Sequence, residues 1–469
     1  MAIKKHSQNV LYIFAGDATS RLLGFLAVAY LARMLGKPEF GIINIGVAVL
    51  NYTLLIGNSG LGLIGTRAVS SGSEDIAFLT GRILVTRFLL SAAAYIVTAA
   101  VIFLFVTSPE ISGVTLIYLL FLFPTALMPD WFFQGRQEMG TMALGRFWGM
   151  LFYLLFVLLF VQTSQDTMMT AWSWVAGGVA NAVWLLIIFR RRKYNIRFHL
   201  KNAKLFQLWK TAFPLGVASL ISQVVVQFPL IYLGWFATTT DAGIFSAAFR
   251  TTALLLIFDR VFYTVFFPVI SRTNQYSPER SPEMIRRVLK MVIFCGLVIS
   301  LLAIVSAEFL ITLIFSEKYL EAVPLFQILA GYFVVTIINS ALAYSLVGLG
   351  YEKTYTRALS AGLVVFLIAI YFLHLYTGLQ GVAIALIANQ IANLIYMMIK
   401  LNSLVSLNLN RYLITSISMT FLAILPVLLI FKLMLPLSFL FILIIGAPLL
   451  AWVGGIRFDD IRYFKKVFI

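Results

Sequence analysis

Long apolar stretches separated by short polar loops run along almost the whole chain. A bilayer hydrocarbon core of about 30 Å requires roughly 20 apolar residues per crossing helix. The pattern therefore predicts an all-α polytopic membrane protein with fourteen transmembrane helices, at residues 10–32, 41–64, 79–106, 111–128, 142–161, 168–189, 206–236, 242–269, 288–314, 323–348, 354–376, 379–401, 412–431 and 436–453.

Composition supports this fold class and excludes several others. Of 469 residues, 61% are apolar and 11% are charged, and the mean hydropathy is +0.97. A soluble domain averages about 45–50% apolar and about 25% charged residues. The single cysteine, Cys295, excludes an internal disulfide, and no zinc-type spacing, P-loop or hydrolase nucleophile motif occurs. We therefore expect neither a metal nor a cofactor.

The basic residues are distributed unevenly between the two sides of the predicted membrane. Fourteen helices place both termini on one side, and the loops of that side carry 21 lysine and arginine residues against 4 on the other. The positive-inside rule then predicts cytoplasmic termini. Topology and attraction to anionic lipid account for the net charge of +17, so nucleic acid is not an expected partner.

A short internal sequence similarity and a basic linker divide the predicted helices into two halves. Residues 39–42 at the start of helix 2 resemble residues 241–244 at the start of helix 8, 202 positions later. We predict two parallel six-helix repeats, related by an axis along the membrane normal, with substrate handled between them. The predicted parts are an N-lobe at 1–189, a basic cytoplasmic linker at 190–205, a C-lobe at 206–401, and helices 13 and 14 with a cytoplasmic tail at 402–469.

Other basic residues near the inner surface receive structural interpretations. Residues 271–290 combine several basic side chains with an apolar set, which predicts an amphipathic helix lying on the inner leaflet. Long basic side chains near inner helix ends are expected to snorkel to the interface, namely Arg82, Arg87, Arg146, Lys210, Arg357 and Lys400.

Arginines inside the predicted helices are candidates for function, because a charge at the bilayer centre costs about 2.5–3.5 kcal/mol even on low estimates. Arg21 lies roughly 17 Å inside helix 1 and Arg250 roughly 12 Å inside helix 8, so both are expected near the midplane. A guanidinium group binds phosphate oxygens in a bidentate manner. The two positions therefore predict a binding site for an anion with several oxygens, such as a pyrophosphate.

Carboxylates inside the helices leave alternatives open. Asp17 lies one turn before Arg21 on the same helix face. It either forms an ion pair that neutralises Arg21, or acts as a switch or as a coupling site for a cation or proton. Asp259 and Arg260 lie near the inner end of helix 8, where we expect a structural pair or a gate.

Four amides complete the candidate substrate-binding set. Asn44 and Asn51 lie seven residues apart on helix 2, and Gln223 and Gln227 lie on helix 7. They could line a polar cavity with the arginines. Hydrogen bonds between helices would explain them equally well.

Three segments carry a family resemblance: residues 16–25 (GDATSRLLGF), 36–41 (GKPEFG) and 130–139 (DWFFQGRQEM). They resemble the polysaccharide transporters of the MOP exporter superfamily, which include the Wzx-type flippases of O-antigen and exopolysaccharide assembly. The resemblance extends over roughly the first 400 residues and is strongest near the start of the chain.

The resemblance implies a MATE-like two-lobed fold with a central cavity lined mainly by helices 1, 2, 7 and 8, here with two extra C-terminal helices. It implies a flippase of the bacterial inner membrane that moves undecaprenyl-pyrophosphate-linked oligosaccharide to the outer leaflet by alternating access. Membrane lipid and polysaccharide assembly proteins would be its partners, with H+, Na+ or the membrane potential as energy source. Cavity arginines of the related lipid II flippases correspond to Arg21 and Arg250.

Two other functions remain as alternatives. A cation-coupled multidrug exporter shares the implied fold, but a cationic drug requires carboxylates rather than guanidinium groups in the cavity. A membrane glycosyl polymerase or ligase usually requires a sizeable outer loop with catalytic groups. The predicted outer loops, such as residues 162–167, are only a few residues long.

Overall fold

A computed structural model describes residues 2–72, 75–197, 205–276 and 278–404, and the regular structure in these ranges is helical. Short 3-10 turns lie at Ser164–Asp166, Pro278–Arg280 and Glu317–Tyr319. The α-helices of the described ranges are α1 (Ala2–Leu35), α2 (Lys37–Asn58), α3 (Leu61–Ser70), α4 (Ile76–Phe105), α5 (Pro109–Leu119), α6 (Leu122–Leu127), α7 (Asp130–Gly135), α8 (Met139–Phe160), α9 (Thr167–Arg191), α10 (Leu205–Phe236), α11 (Thr239–Leu255), α12 (Ile257–Tyr276), α13 (Ser281–Val305), α14 (Ala307–Phe315), α15 (Ala322–Gly348), α16 (Glu352–Thr377) and α17 (Leu379–Leu404).

The all-helical membrane architecture predicted from the apolar stretches is confirmed. Within the described ranges, eleven helical segments are long and apolar enough to cross a membrane. The first twelve predicted stretches each coincide with one or two of the helices. Predicted helices 13 and 14 lie outside the described residues, so the count of fourteen stays a prediction.

Several predicted single helices are broken. The stretch at 41–64 becomes α2 and α3, because Ser59 and Gly60 both adopt left-handed backbone angles, with φ of 39° and 77°. Helix 8 divides at Leu256 into α11 and α12. In a membrane, such breaks are tolerated where protein or water satisfies the freed backbone groups, so they indicate positions away from lipid.

The chain divides into two compact units, of which the first ends at Ser246 and the second begins at Ala247. In the first unit, a core of apolar side chains includes Leu31, Tyr118 and Val157. In the second unit, the largest described core includes Met284 and Phe333. The lobe and linker boundaries drawn from the sequence stay predictions.

The first turns of α2 and α11 pack against each other reciprocally. A Cβ added at Gly41 would overlap the carbonyl oxygen of Thr239, and one added at Gly243 would overlap the carbonyl oxygen of Lys37. Glycine is the residue that permits such a close approach of two backbones. The two contacts are related by the same offset of 202 positions that separates the similar segments 39–42 and 241–244.

The predicted amphipathic helix at 271–290 is wrong as an independent surface element. Its first residues extend α12 to Tyr276, and its last ten begin the membrane-spanning helix α13. The apolar residues of this segment, such as Ile285 and Leu289, are fully buried in the core of the second unit. Their amphipathic pattern therefore arises from protein packing rather than from lipid contact.

Arg87 does not snorkel. It is 4% exposed, and its guanidinium donates to the carbonyl oxygens of Thr125 at 2.8 Å and Met128 at 3.0 Å. The Asp130 carboxylate lies 3.3 Å from the same group. Arg87 thus joins α4 to the break between α6 and α7, where it satisfies carbonyl oxygens that a continuous helix would have paired.

The beginning of the basic linker is attached to the first unit through Glu138. This carboxylate binds the Arg192 guanidinium and accepts a hydrogen bond from the Tyr194 hydroxyl at 2.6 Å. The Tyr194 ring packs on Phe132 and Phe189, with centroids 4.8 and 5.3 Å apart. Residues 190–197 are therefore bound to the helix ends around them, whereas residues 198–204 of the linker lie outside the described ranges.

We expect Arg87→Met to lower the apparent melting temperature of the purified protein by roughly 5–15 °C, because it leaves buried acceptors and a carboxylate without their cation. Asp130→Asn should cost less, since Arg87 keeps its two carbonyl partners and Asp130 is about half exposed. The control is Arg67→Met at an exposed position of α3. Equal melting temperatures for Arg87→Met and the control would refute this role.

Candidate functional site

A cavity of about 270 Å³ lies inside the first unit, between α1, α8, α9 and the turn before α6. Ligand pockets for drug-sized molecules usually measure about 300–1,000 Å³. The cavity can therefore hold a headgroup or a single sugar rather than a whole oligosaccharide.

Glycines bring α8 and α9 into close contact beside this cavity. A Cβ at Gly149 of α8 would lie 3.0 Å from the carbonyl oxygen of Gly177 on α9, and one at Gly177 would lie 2.6 Å from that of Gly149. Small residues let two membrane helices approach to backbone contact. On α1, a Cβ at Gly24 would meet the sulfur of Met150 at 3.6 Å, an ordinary van der Waals contact, so this wall of the cavity has room.

Two arginines line the same cavity. Arg21 projects from α1 and Arg146 from α8, and both residues are exposed. Among the described residues that line the cavity, none carries a carboxylate. Two guanidinium groups at an apolar cavity raise the local positive potential, and weak solvent screening there strengthens their attraction for an anion.

Aromatic rings form the wall beside these arginines. The ring of Trp174 packs edge to face against Tyr153, with centroids 4.9 Å apart, and lies 5.7 Å from Phe121. The buried indole nitrogen of Trp174 and the buried Oδ1 of Asn181 have no hydrogen-bond partner among the described residues. A buried polar atom left unpaired costs about 1–3 kcal/mol, so this wall retains unused hydrogen-bonding capacity.

The predicted substrate-binding residues are distributed over both units. Arg21 lines the cavity, whereas Arg250 is half-buried on α11 in the second unit. Asn44 is 1% exposed, and its Nδ2 donates to the carbonyl oxygen of Phe40 at 2.6 Å. Asn51, Gln223 and Gln227 are half-buried. The residues that line the cavity include Arg21 but none of these other five.

The residues predicted to couple transport to a cation or to form a gate also lie on different helices. Asp17 belongs to α1, but its side chain lies outside the described residues. Asp259 and Arg260 lie in the first turn of α12, where the Oδ1 of Asp259 is buried and Arg260 is exposed. A bond or gate formed by this pair stays a prediction.

Sequence reasoning missed Arg146 and Asn181. Arg146 was expected to snorkel, yet it lines the cavity. Gly145 and Gly149 flank it with the small-residue spacing of a close helix contact, and Gly177 and Gly178 precede Asn181 in the same way. A cation placed inside such a glycine pattern is the signal that could have identified this wall.

Comparison with known proteins gives consistent results. Residues 7–274, more than half of the chain, match the family described as polysaccharide biosynthesis protein. A putative O-antigen transporter of Escherichia coli (strain K12) is 23% identical over 412 residues, which cover 85% of this chain and 97% of that protein. A probable low-salt glycan biosynthesis flippase, Agl15 of Haloferax volcanii, is 22% identical and covers 81% of this chain and 80% of its own length.

Two solved structures illustrate the fold. The lipid II flippase MurJ in an inward closed conformation aligns with a TM-score of 0.73, covering 96% of this chain and 99% of that one at 14% identity. An inward-facing multidrug resistance MATE family transporter of the MOP superfamily aligns with a TM-score of 0.67, covering 83% of this chain and 95% of that one at 14% identity. These likenesses establish the MATE-like fold.

We expect a cysteine at position 24 to react faster with an anionic than with a cationic methanethiosulfonate reagent, because the arginines concentrate anions in the cavity. Gly24→Cys is made in a Cys295→Ala background, and the ratio of the two rates is measured with and without Arg21→Ala and Arg146→Ala. Loss of both arginines should lower the ratio by about threefold or more.

The matched control is Gln162→Cys, at an exposed position between α8 and the next turn. Its rate ratio should be unchanged when the arginines are removed. An unchanged ratio at position 24 would show that the arginines do not set the potential of the cavity.

Proposed function

Because this chain belongs to the polysaccharide biosynthesis protein family, we propose that it is a flippase for a lipid-linked glycan. Its cargo is an undecaprenyl-pyrophosphate-linked oligosaccharide, which it moves from the inner to the outer leaflet of the bacterial inner membrane. The observation that carries the proposal is the cavity of the first unit, which presents two guanidinium groups and, among its described lining residues, no carboxylate.

The headgroup of such a lipid suits this cavity chemically. Each guanidinium of Arg21 and Arg146 can offer paired N–H donors to a phosphate group. The ring faces of Trp174 and Tyr153 supply flat apolar surface to a sugar ring, and the amide of Asn181 can pair with its hydroxyl groups. The prenyl chain stays in the lipid, so no bond is made or broken during transport.

The proposal gives the remaining predicted residues a role in the central cavity that the resemblance implies. Arg250 and the half-buried amides Asn51, Gln223 and Gln227 contact the cargo there, whereas Asn44, which is 1% exposed, serves helix packing. Alternating access of the two lobes then releases the headgroup on the far side. Asp17 or the pair Asp259 and Arg260 couples this cycle to a cation, and assembly proteins receive the glycan.

The topology proposed for this function has fourteen helices, cytoplasmic termini and two parallel six-helix repeats. The reciprocal glycine contacts between α2 and α11 support the repeats, because the contacting residues are separated by the same 202 positions as the similar segments 39–42 and 241–244. A two-fold axis between equivalent helices would produce this kind of reciprocity.

The alternatives receive less support. A multidrug exporter that binds cationic drugs would meet repulsion from Arg21 and Arg146 in this cavity. A polymerase or ligase would differ in function from the curated relatives, which are named as transporters and a flippase.

We expect Arg21→Ala and Arg146→Ala each to reduce glycan export roughly 10- to 100-fold, the range that corresponds to one lost charge-assisted hydrogen bond of about 1.5–3 kcal/mol. Lysine at either position should restore part of the activity, because it keeps the charge but not the fork of donors. Arg250→Ala should also reduce export. Export is measured as surface polymer, together with the lipid-linked repeat unit that remains on the inner leaflet.

Arg67→Ala, at an exposed position of α3, is the control and should export normally. Membrane insertion of every variant is followed with a C-terminal fluorescent fusion. Normal export by the well-inserted double variant Arg21→Ala and Arg146→Ala would overturn the role of this cavity, and a surplus of repeat units on the outer leaflet of a deletion strain would indicate a polymerase instead.

A further inference from the structure

A half-buried aspartate with one buried carboxylate oxygen lies beside a very small cavity inside the second unit. Asp259, in the first turn of α12, lines this cavity with residues of α13 and α15. The cavity measures about 10 Å³, which corresponds to the space that one water molecule needs. It lies in a different unit from the arginine cavity described above.

The carboxylate is only partly satisfied. Its Oδ1 is buried and has no hydrogen-bond partner among the described residues, while the Ser340 hydroxyl of α15 donates a hydrogen bond to the group. The aromatic residues Phe262 and Phe266 of the same helix also line the cavity. A negative charge with a free oxygen in such surroundings is expensive unless something neutralises it.

Few charged or titratable groups face Asp259. Among the described residues, they are Arg260 on its own helix, Tyr332 and Tyr344 on α15, and Tyr355 on α16. The α13 residues at the cavity, Val288 and Val292, are apolar. Arg260 is exposed on the surface of the helix, and its charge acts on Asp259 together with the hydrogen bond from Ser340.

The lining of the cavity indicates which species can neutralise the carboxylate of Asp259. A metal cation that leaves water must regain its hydration shell from several oxygen atoms. The described lining offers side-chain oxygens from Asp259, Ser340 and Tyr344 only, and the remaining lining residues are apolar. A proton needs no added volume and a single oxygen, and the unpaired Oδ1 provides that oxygen.

A polar network of the same unit lies within electrostatic range of Asp259. The hydroxyl of Tyr332 is hydrogen-bonded to Gln390 of α17. The Nδ2 of Asn339 on α15 donates to Oε1 of Gln390 at 2.7 Å and to its carbonyl oxygen at 2.8 Å. Protonation of Asp259 would alter the electrostatic field on a network that joins α15 to α17.

We propose that Asp259 is a proton-binding site of the second unit, formed by its unpaired Oδ1 in a cavity whose described lining is too poor in oxygen for a metal cation. Proton binding at Asp259 does not depend on whether the protein is a transporter. Its role in driving the cycle rests on the function proposed above.

The test is an infrared difference spectrum of the full-length protein in lipid vesicles between about pH 8 and about pH 6, a window in which exposed carboxyl groups remain ionised. We expect the wild type to gain the carbonyl band of a protonated carboxyl group. Asp259→Asn should reduce that band at least threefold, and Asp259→Glu should shift its frequency and keep its amplitude. The control, Glu317→Gln at an exposed turn, should match the wild type.

Several outcomes would overturn the proposal. One is a band that is unchanged in both Asp259 variants, and another is a wild type without the band. A band that disappears when choline is replaced by sodium would identify a sodium site instead. Vesicles whose glycan translocation ignores a pH gradient, while the band is present, would leave proton binding intact and refute only the coupling to transport.

Discussion

The exclusion of water from the membrane interior is the constraint on which this structure depends. Every polar group placed there must find a partner within the protein, and most of those described do. Asn44 donates to a carbonyl oxygen one turn earlier on its own helix, and Arg87 covers two carbonyl oxygens at a helix break. Among the described residues, twelve side-chain atoms are buried without a partner, and those of Asn181, Trp174 and Asp259 belong to residues that line cavities.

The same constraint explains what the family motif at 130–139 does. Trp131 packs against Gly65, where a Cβ would overlap its ring, and Asp130 pairs with Arg87. Glu138 binds the beginning of the basic linker. The described contacts of these motif residues join α3, α4 and the beginning of the linker within the first unit, so this one of the three segments that carry the resemblance contributes structure.

Sequence predicted the helical fold, because a bilayer allows few other solutions for long apolar stretches. It also identified Arg21, since an arginine deep in a helix is costly wherever it points. Sequence could not predict roles that depend on how the helices pack in three dimensions. Arg87 and Arg146 occupy similar positions near predicted helix ends, yet Arg87 is buried at a helix break and Arg146 lines a cavity. The apolar face of residues 284–289 could not be assigned to lipid or protein for the same reason.

The arrangement of charges bears on how transport could be driven. The cationic cavity belongs to the first unit and the buried carboxylate to the second, so an anionic headgroup and a proton would not compete for the same atoms. Coupling between two separate sites must act through conformations whose stability each ligand changes, and by linkage the effect is reciprocal. A proton that favours one conformation through Asp259 would alter headgroup affinity at Arg21 and Arg146 by the same factor as the headgroup alters proton affinity.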